Sequence, residues 1–264
     1  MQSIESEGSV DLKQSRLHYF KYGTGKEVLL LFHGFGQDHS IFNRSIAHII
    51  EDFSIYSFDL FYHGKSDRPN ALMNPTEWID CIRLFLEKEQ IDHFRIGAYS
   101  LGGRFALQVI KHFPDRIHDV LLMAPDGFYH SPFYKAAVRL RPIFRFLMYH
   151  PTAFDSFLSF ASQRNLVNKS LVKFSKRELK DPDNRIRVYR SWTYFQKLYL
   201  SRKELRATLT DKHFTISFYL GSQDYIIPPG EVMKTIGSIK NLHIDIMEKR
   251  HHEVVEEAFI RHFQ

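Results

Sequence analysis

Short apolar runs alternate with stretches of helical period along most of the chain. Val28–Phe32 (VLLLF) is apolar throughout, the pattern of a strand covered on both faces. Ser54–Leu60, Phe94–Tyr99, Asp119–Ala124, Phe214–Leu220 and Leu242–Met247 are short β-rich runs that predict further strands. Ser15–Tyr22 instead alternates apolar and polar positions, which predicts an early antiparallel strand closed by Gly23 and Gly25. Between the strands, His39–Ile50, Pro75–Gln90, Leu101–Phe113 and Glu253–Phe263 read as helices. Asn74 is placed to cap the second of these, with Pro75 at its first position. Pro114 ends the third. Strand and helix in alternation predict an α/β fold: a mostly parallel sheet with helices on both faces.

From Phe128 to Arg206 the alternation stops. This segment keeps helical period without a strand, and Pro132, Pro142, Pro151 and Pro182 divide it into several short helices. Its charge differs as well. It carries 17 Lys/Arg against 5 Asp/Glu, a net of +12 where the whole chain has +6, so the remainder is net acidic. It also holds 16 of the 39 aromatic residues on 79 of the 264 positions. The chain therefore divides into a core of residues 1–127 and 207–264 and a basic, aromatic-rich helical insertion at 128–206. In Arg139-Leu140-Arg141-Pro142-Ile143-Phe144-Arg145-Phe146 arginines alternate with apolar side chains. One reading is an amphipathic lid in weak contact with anionic membrane, or one that accepts an anionic substrate. The plainer one is a helical cap with its aromatics packed inward and its arginines in water.

Composition narrows the class further. Hydrophobic residues make up 44% and charged residues 25%, as in an ordinary globular protein and unlike a disordered or collagenous chain. The single cysteine, Cys81, forms no internal disulfide, which favours a reducing compartment and argues against Fe–S or cysteine-type zinc sites. It lies in an apolar helical stretch, where an inert buried thiol is expected. The histidines show no HExxH or comparable ligand spacing, so no metal and no cofactor are expected. The first residues lack the basic head and apolar core of a signal peptide, and no run of about eighteen apolar residues occurs. These features predict a cytoplasmic protein. No recognition motif accompanies the positive charge, so no nucleic-acid partner is expected.

In open α/β sheets, ligands bind beyond the carboxyl ends of the strands. There the sequence places His33-Gly34-Phe35-Gly36, Asp59 with His63-Gly64-Lys65-Ser66, and Ser100-Leu101-Gly102-Gly103. Later strands are followed by Pro125-Asp126-Gly127, by Gly221-Ser222-Gln223-Asp224, and by Glu248-Lys249-Arg250-His251-His252. In this order the segments resemble the α/β-hydrolase superfamily, over nearly everything except the insertion. Ala98-Tyr99-Ser100-Leu101-Gly102 resembles its nucleophile elbow between strand and helix, with Ala98 where glycine is more usual.

The resemblance implies an α/β-hydrolase fold with an inserted helical lid and a catalytic Ser-Asp-His set. A serine hydroxyl is a poor nucleophile and needs an adjacent base. Ser100 is the candidate nucleophile. Asp224 is the candidate acid, with Asp126 the alternative. Arg250–Val255 resembles the lysophospholipase and monoglyceride-lipase type of ending, which favours His252 as the base, with His251 the alternative. By the same resemblance the backbone N–H groups of Phe35 and Leu101 form the oxyanion hole. Asp59 and His63–Ser66 resemble the family's D-x-x-G-x-G-x-S loop and read as structural. Ser100–Arg104 is also similar to the succinyl-hydroxycyclohexadiene-carboxylate synthases of menaquinone synthesis, which bind a substrate carboxylate through arginines. That makes Arg104 a substrate-binding candidate, with a structural ion pair as the alternative. The activity expected is cleavage of a carboxylic ester with an apolar acyl group through an acyl-enzyme. The expected partner is thus a small apolar or amphipathic ester. The alternatives are C–C hydrolysis or elimination on an anionic substrate, and a non-catalytic binding protein of the same fold.

Overall fold

Eight strands, counted among the described residues, form one sheet in the order β1-β2-β4-β3-β5-β6-β7-β8. They are β1 (Ser6–Leu12), β2 (Ser15–Tyr22), β3 (Glu27–Phe32), β4 (Phe53–Asp59), β5 (Phe94–Tyr99), β6 (Ile117–Met123), β7 (Thr215–Gly221) and β8 (Leu242–Met247). The computed structural model from which this is read describes residues 4–13, 15–69, 72–129, 132–164 and 181–263. Strand β2 runs antiparallel to both β1 and β4, and every other pairing is parallel. The helices are α1 (Asn43–Ile46), α2 (Pro75–Lys88), α3 (Gly102–His112), α4 (Pro132–Arg139), α5 (Arg141–Tyr149), α6 (Pro151–Gln163), α7 (Pro182–Tyr194), α8 (Arg202–Leu209), α9 (Pro229–Ile236) and α10 (Val254–Phe263). Residues 165–180 of the expected insertion lie outside the described residues.

The chain forms two compact units. The first takes in Met1–Asn70, Asn74–Tyr129 and Leu198–Gln264, and the second Ala71–Met73 and His130–Lys197. Residues 198–206, which charge assigns to the insertion, thus belong with the sheet.

In the first unit, strand alternation sends successive side chains to opposite faces. Leu29, Leu31, Ile55, Leu121 and Met123 meet Phe42 and Ile46 near α1 and Val254, Ala258 and Phe259 of α10 in one buried cluster. On the other face Phe32 packs edge-on to Trp78, Phe58 to Phe85, and Trp78 to Phe105, which seats α2 and α3. Asn74 caps α2 by accepting from the Thr76 N–H, with Pro75 at the first turn. Ser201 and Glu204 form a reciprocal capping box at the start of α8.

Three elements depart from the sequence reading. Strand β1 was not expected: only Val10 among its residues is buried, so the edge strand lacks an apolar run. The helix expected over His39–Ile50 is a short 3₁₀ turn (His39–Phe42) followed by the single turn α1. Asp59 accepts hydrogen bonds from both the His39 N–H and its ring, at 2.9 and 3.0 Å, and anchors the segment there. Helix α9 has no counterpart in the sequence reading, and Pro229 occupies its first turn.

The second unit is helical among its described residues. Phe144 of α5 stacks on Trp192 of α7 at 5.8 Å, and Tyr134 of α4 meets Trp192 edge-on. The Arg185 guanidinium donates to the Met148 carbonyl at 3.1 Å, tying α7 to α5.

Candidate active site

Ser100 stands between β5 and α3 with φ 48°, in the left-handed region that non-glycine residues rarely occupy. The surrounding structure holds it there. Its N–H donates to the Met123 carbonyl at 3.1 Å, and its carbonyl accepts from Asp126 and Gly103 at 2.7 and 2.9 Å. The turn also requires close approach. A Cβ on Gly102 would lie 2.1 Å from the Phe32 carbonyl oxygen, and one on Gly103 would lie 2.7 Å from Pro125. The methyl of Ala98 is fully buried in β5.

The ring beside Ser100 belongs to His251. Its Nε2 lies 2.9 Å from Ser100 Oγ, and its Nδ1 lies 2.6 Å from Asp224 Oδ2. This corrects the expectation for His252, which is exposed while His251 is buried. The reason is local. The Glu253 carboxylate accepts the Arg250 N–H at 2.8 Å and closes a 3₁₀ turn over His251–Glu253. That turn directs adjacent residues differently, and the Tyr99 hydroxyl donates to the His251 carbonyl at 3.2 Å. The Arg250 bond is also the largest influence holding the Glu253 carboxyl below its usual range.

The acid position is equally defined. Asp224 Oδ1 accepts the N–H groups of Ile226 and Ile227 at 2.8 and 2.9 Å, leaving Oδ2 for the imidazole. The loop carrying it is joined to the loop after β8: Ser222 donates to Met247 and Gln223 to Lys249, at 2.8 and 3.1 Å. A Cβ on Gly221 would lie 2.4 Å from the Lys249 carbonyl oxygen, so only glycine permits this approach.

Asp126, the alternative acid, faces a different partner. Its carboxylate pairs with the Arg104 guanidinium, and its Oδ1 accepts from the Tyr199 hydroxyl at 2.7 Å. Arg104 also donates to that hydroxyl at 2.6 Å and lies over the Tyr199 ring at 3.9 Å. The Arg104 side chain is 3% exposed. The guanidinium is thus buried against Asp126 and Tyr199, the ion pair that stood as the alternative to a substrate-binding role. The contribution of Tyr199 was not legible in the sequence, where 95 positions separate it from Arg104.

Two buried histidines shape the loop after β3. His33 Nδ1 lies 2.7 Å from the Gly34 carbonyl, and its Nε2 accepts the Leu60 N–H at 3.0 Å. Burial pushes this imidazole down to about 4. His63 Nε2 accepts the Gly36 N–H at 3.1 Å, and its ring meets those of His33 and Phe35 edge-on. Gln37 Oε1 accepts the Gly34 N–H at 3.2 Å. The loop's N–H groups at 34 and 36 are thus engaged, while among the described residues that of Phe35 has no acceptor. The Leu101 N–H likewise has none, whereas those of Gly103 and Arg104 turn back to Ser100 and Leu101. These are the two donors expected to hold an oxyanion.

Asp59 is fully buried beneath this region and accepts from His39 and from the Lys65 N–H, the latter at 2.7 Å. Burial opposes its charge, but these bonds prevail and hold it below its usual range. The Cys81 thiol is buried in α2 and pushed up to about 12, the condition of an inert thiol. Among the described residues, no group of three or more His, Cys, Asp or Glu is placed to hold a metal ion, and no helix is long and apolar enough to cross a membrane.

Comparison with known proteins adds an independent line. Over 107 residues the chain is 29% identical to the abhydrolase domain-containing protein abhd-5.2 of Caenorhabditis elegans, covering 39% of this chain and 24% of that one. It is 28% identical over 118 residues to the (lyso)-N-acylphosphatidylethanolamine lipase of Bos taurus, covering 43% of this chain and 34% of that one. The chain thus spans a third or less of these relatives' length, to within a percentage point. The naproxen esterase of Bacillus subtilis has the same fold, with a TM-score of 0.67 at 15% identity over 100% of this chain and 93% of that one. The family model described as alpha/beta hydrolase fold matches residues 27–252, so the chain belongs to the α/β-hydrolase family.

Proposed function

We propose that the protein is a serine hydrolase that cleaves a carboxylic ester with an apolar acyl group through an acyl-enzyme. One observation carries this reading: the His251 ring joins Ser100 and Asp224 at 2.9 and 2.6 Å. Ser100 Oγ attacks the ester carbonyl carbon while His251 Nε2 takes its proton. Asp224 fixes the imidazole tautomer and stabilises the imidazolium. The Phe35 and Leu101 N–H groups receive the tetrahedral oxyanion. Collapse breaks the bond to the alcohol, which leaves with the proton from His251. Water, deprotonated by the same ring, then attacks the acyl-enzyme and releases the acid and Ser100.

Family membership supports hydrolysis in general. The apolar acyl group is supported by the aromatic-rich insertion and by the acyl-lipid substrate in the bovine relative's name. The Arg104 guanidinium, the candidate anchor for a reaction on an anionic substrate, pairs with Asp126 and Tyr199, which favours the ester reading.

Fluorophosphonate labelling, run beside a p-nitrophenyl ester chain-length series, tests the proposal. Labelling of the wild type, its loss in Ser100→Ala, and turnover with a chain-length optimum are expected. An unlabelled wild-type protein would overturn the hydrolase reading. Labelling without turnover of any ester would overturn the ester assignment.

A further inference from the structure

Helices α5 and α6 of the second unit have apolar side chains on two faces. Phe144, Met148, Phe154, Leu158 and Ala161 are buried. Leu140, Ile143, Phe146, Tyr149, Phe157 and Phe160 are all exposed, Ile143 by 55% and Phe146 by 54%. Six large exposed apolar groups within 140–160 exceed the scattered exposure normal for a protein surface. Basic side chains accompany them. The Arg145 guanidinium lies 5.9 Å from the Tyr149 ring, and that of Arg164 lies 5.3 Å from the Phe160 ring. Residues 132–164 contain five Lys/Arg and one Asp/Glu.

Charge decides between possible occupants of this face. A second copy meeting it symmetrically would oppose one cationic surface with another. An anionic lipid surface instead neutralises the arginines while accepting the phenylalanine and isoleucine side chains below its headgroups, the combination that holds amphipathic helices at an interface. We propose that the exposed face of α5 and α6 docks this protein on anionic bilayers. Vesicle binding requires no chemistry at Ser100, so the proposal stands or falls apart from the hydrolase reading.

Co-sedimentation of Ser100→Ala protein with phosphatidylcholine vesicles, with or without added phosphatidylglycerol, provides the test. Binding is expected only when phosphatidylglycerol is present, and it weakens as salt is added. An Arg139→Gln/Arg141→Gln/Arg145→Gln variant should bind weaker by on the order of a hundredfold. A Phe146→Ser/Phe160→Ser variant should lose roughly tenfold or more. Both exchange exposed or half-buried groups, and circular dichroism melting checks that they fold. Absence of binding, equal binding to both vesicle types, or wild-type binding by both variants would overturn the proposal. So would sedimentation equilibrium showing a dimer that the phenylalanine variant dissociates, which would assign the face to a second copy.

Discussion

His251 and His252 are the same side chain in adjacent positions, so exchanging each in turn isolates the effect of place. His251→Ala should lower kcat/KM for a p-nitrophenyl ester by roughly 10⁴-fold or more. His252→Ala, which alters an exposed ring, should change it less than about twofold. The reverse result would return the base to His252. The sequence narrowed the base to these two residues but not to one. Similarity to a family ending favoured the second, while the turn set by Arg250 and Glu253 turns the first inward. Ser100 and Asp224 were legible because Ser100 follows β5 directly and Asp224 lies three positions beyond β7. Asp126 was ambiguous because it too lies three positions beyond a strand, and what separates the two is that Asp224 meets the His251 ring while Asp126 meets Arg104 and Tyr199. Asp126→Ala should leave that guanidinium buried without its carboxylate and destabilise the fold by about 3 kcal/mol, measured by urea unfolding. Ester turnover by the protein that remains folded should persist; its abolition would restore Asp126 as the acid.

The turn between β5 and α3 depends on how near α3 comes to the end of β3. Gly102→Ala would force a methyl against the Phe32 carbonyl, which belongs to a strand paired on both sides and has little room to retreat. Destabilisation by roughly 1–3 kcal/mol is expected, together with loss of turnover beyond the unfolded fraction, because displacing α3 shifts the Leu101 N–H. Thermal melts and turnover on the same preparation separate the two effects. An unperturbed melt would mean that the approach is looser than the geometry indicates. The central strands were readable because burial on both faces leaves an unbroken apolar run, as in Val28–Phe32. Strand β1 was not readable because an edge strand buries little, and α9 was obscured by prolines that serve equally in turns and in first helical turns. The expected helix after His39 failed for a further reason: Asp59, twenty positions away, takes the hydrogen bonds.

Across the whole molecule, acid stability should register the buried His33. Its imidazole is held at about 4 in the folded chain, against about 6.5 when unfolded. Above about 6.5 the ring is neutral in both states and the folded chain keeps its full stability. As pH falls from 6.5 towards 4, the unfolded chain gains the proton first, and folding loses up to ~3 kcal/mol. Urea unfolding of wild type and His33→Gln across this window should show a difference that shrinks with falling pH. A constant difference would refute the shift. The division into units was only partly legible, since charge and aromatic content mark most of 130–197 but extend over residues 198–206. The pairing of β6 with β7 also has a consequence in time. Positions 124–214 intervene between the two strands, an interval that synthesis at roughly 5–20 residues per second takes about 5–18 seconds to cross. Throughout it the nascent chain presents β6 as an open edge, able to pair with a neighbouring polypeptide. Ser100 meanwhile has neither Asp224 nor His251 beside it, so a partly made chain is prone to aggregate before its serine is activated.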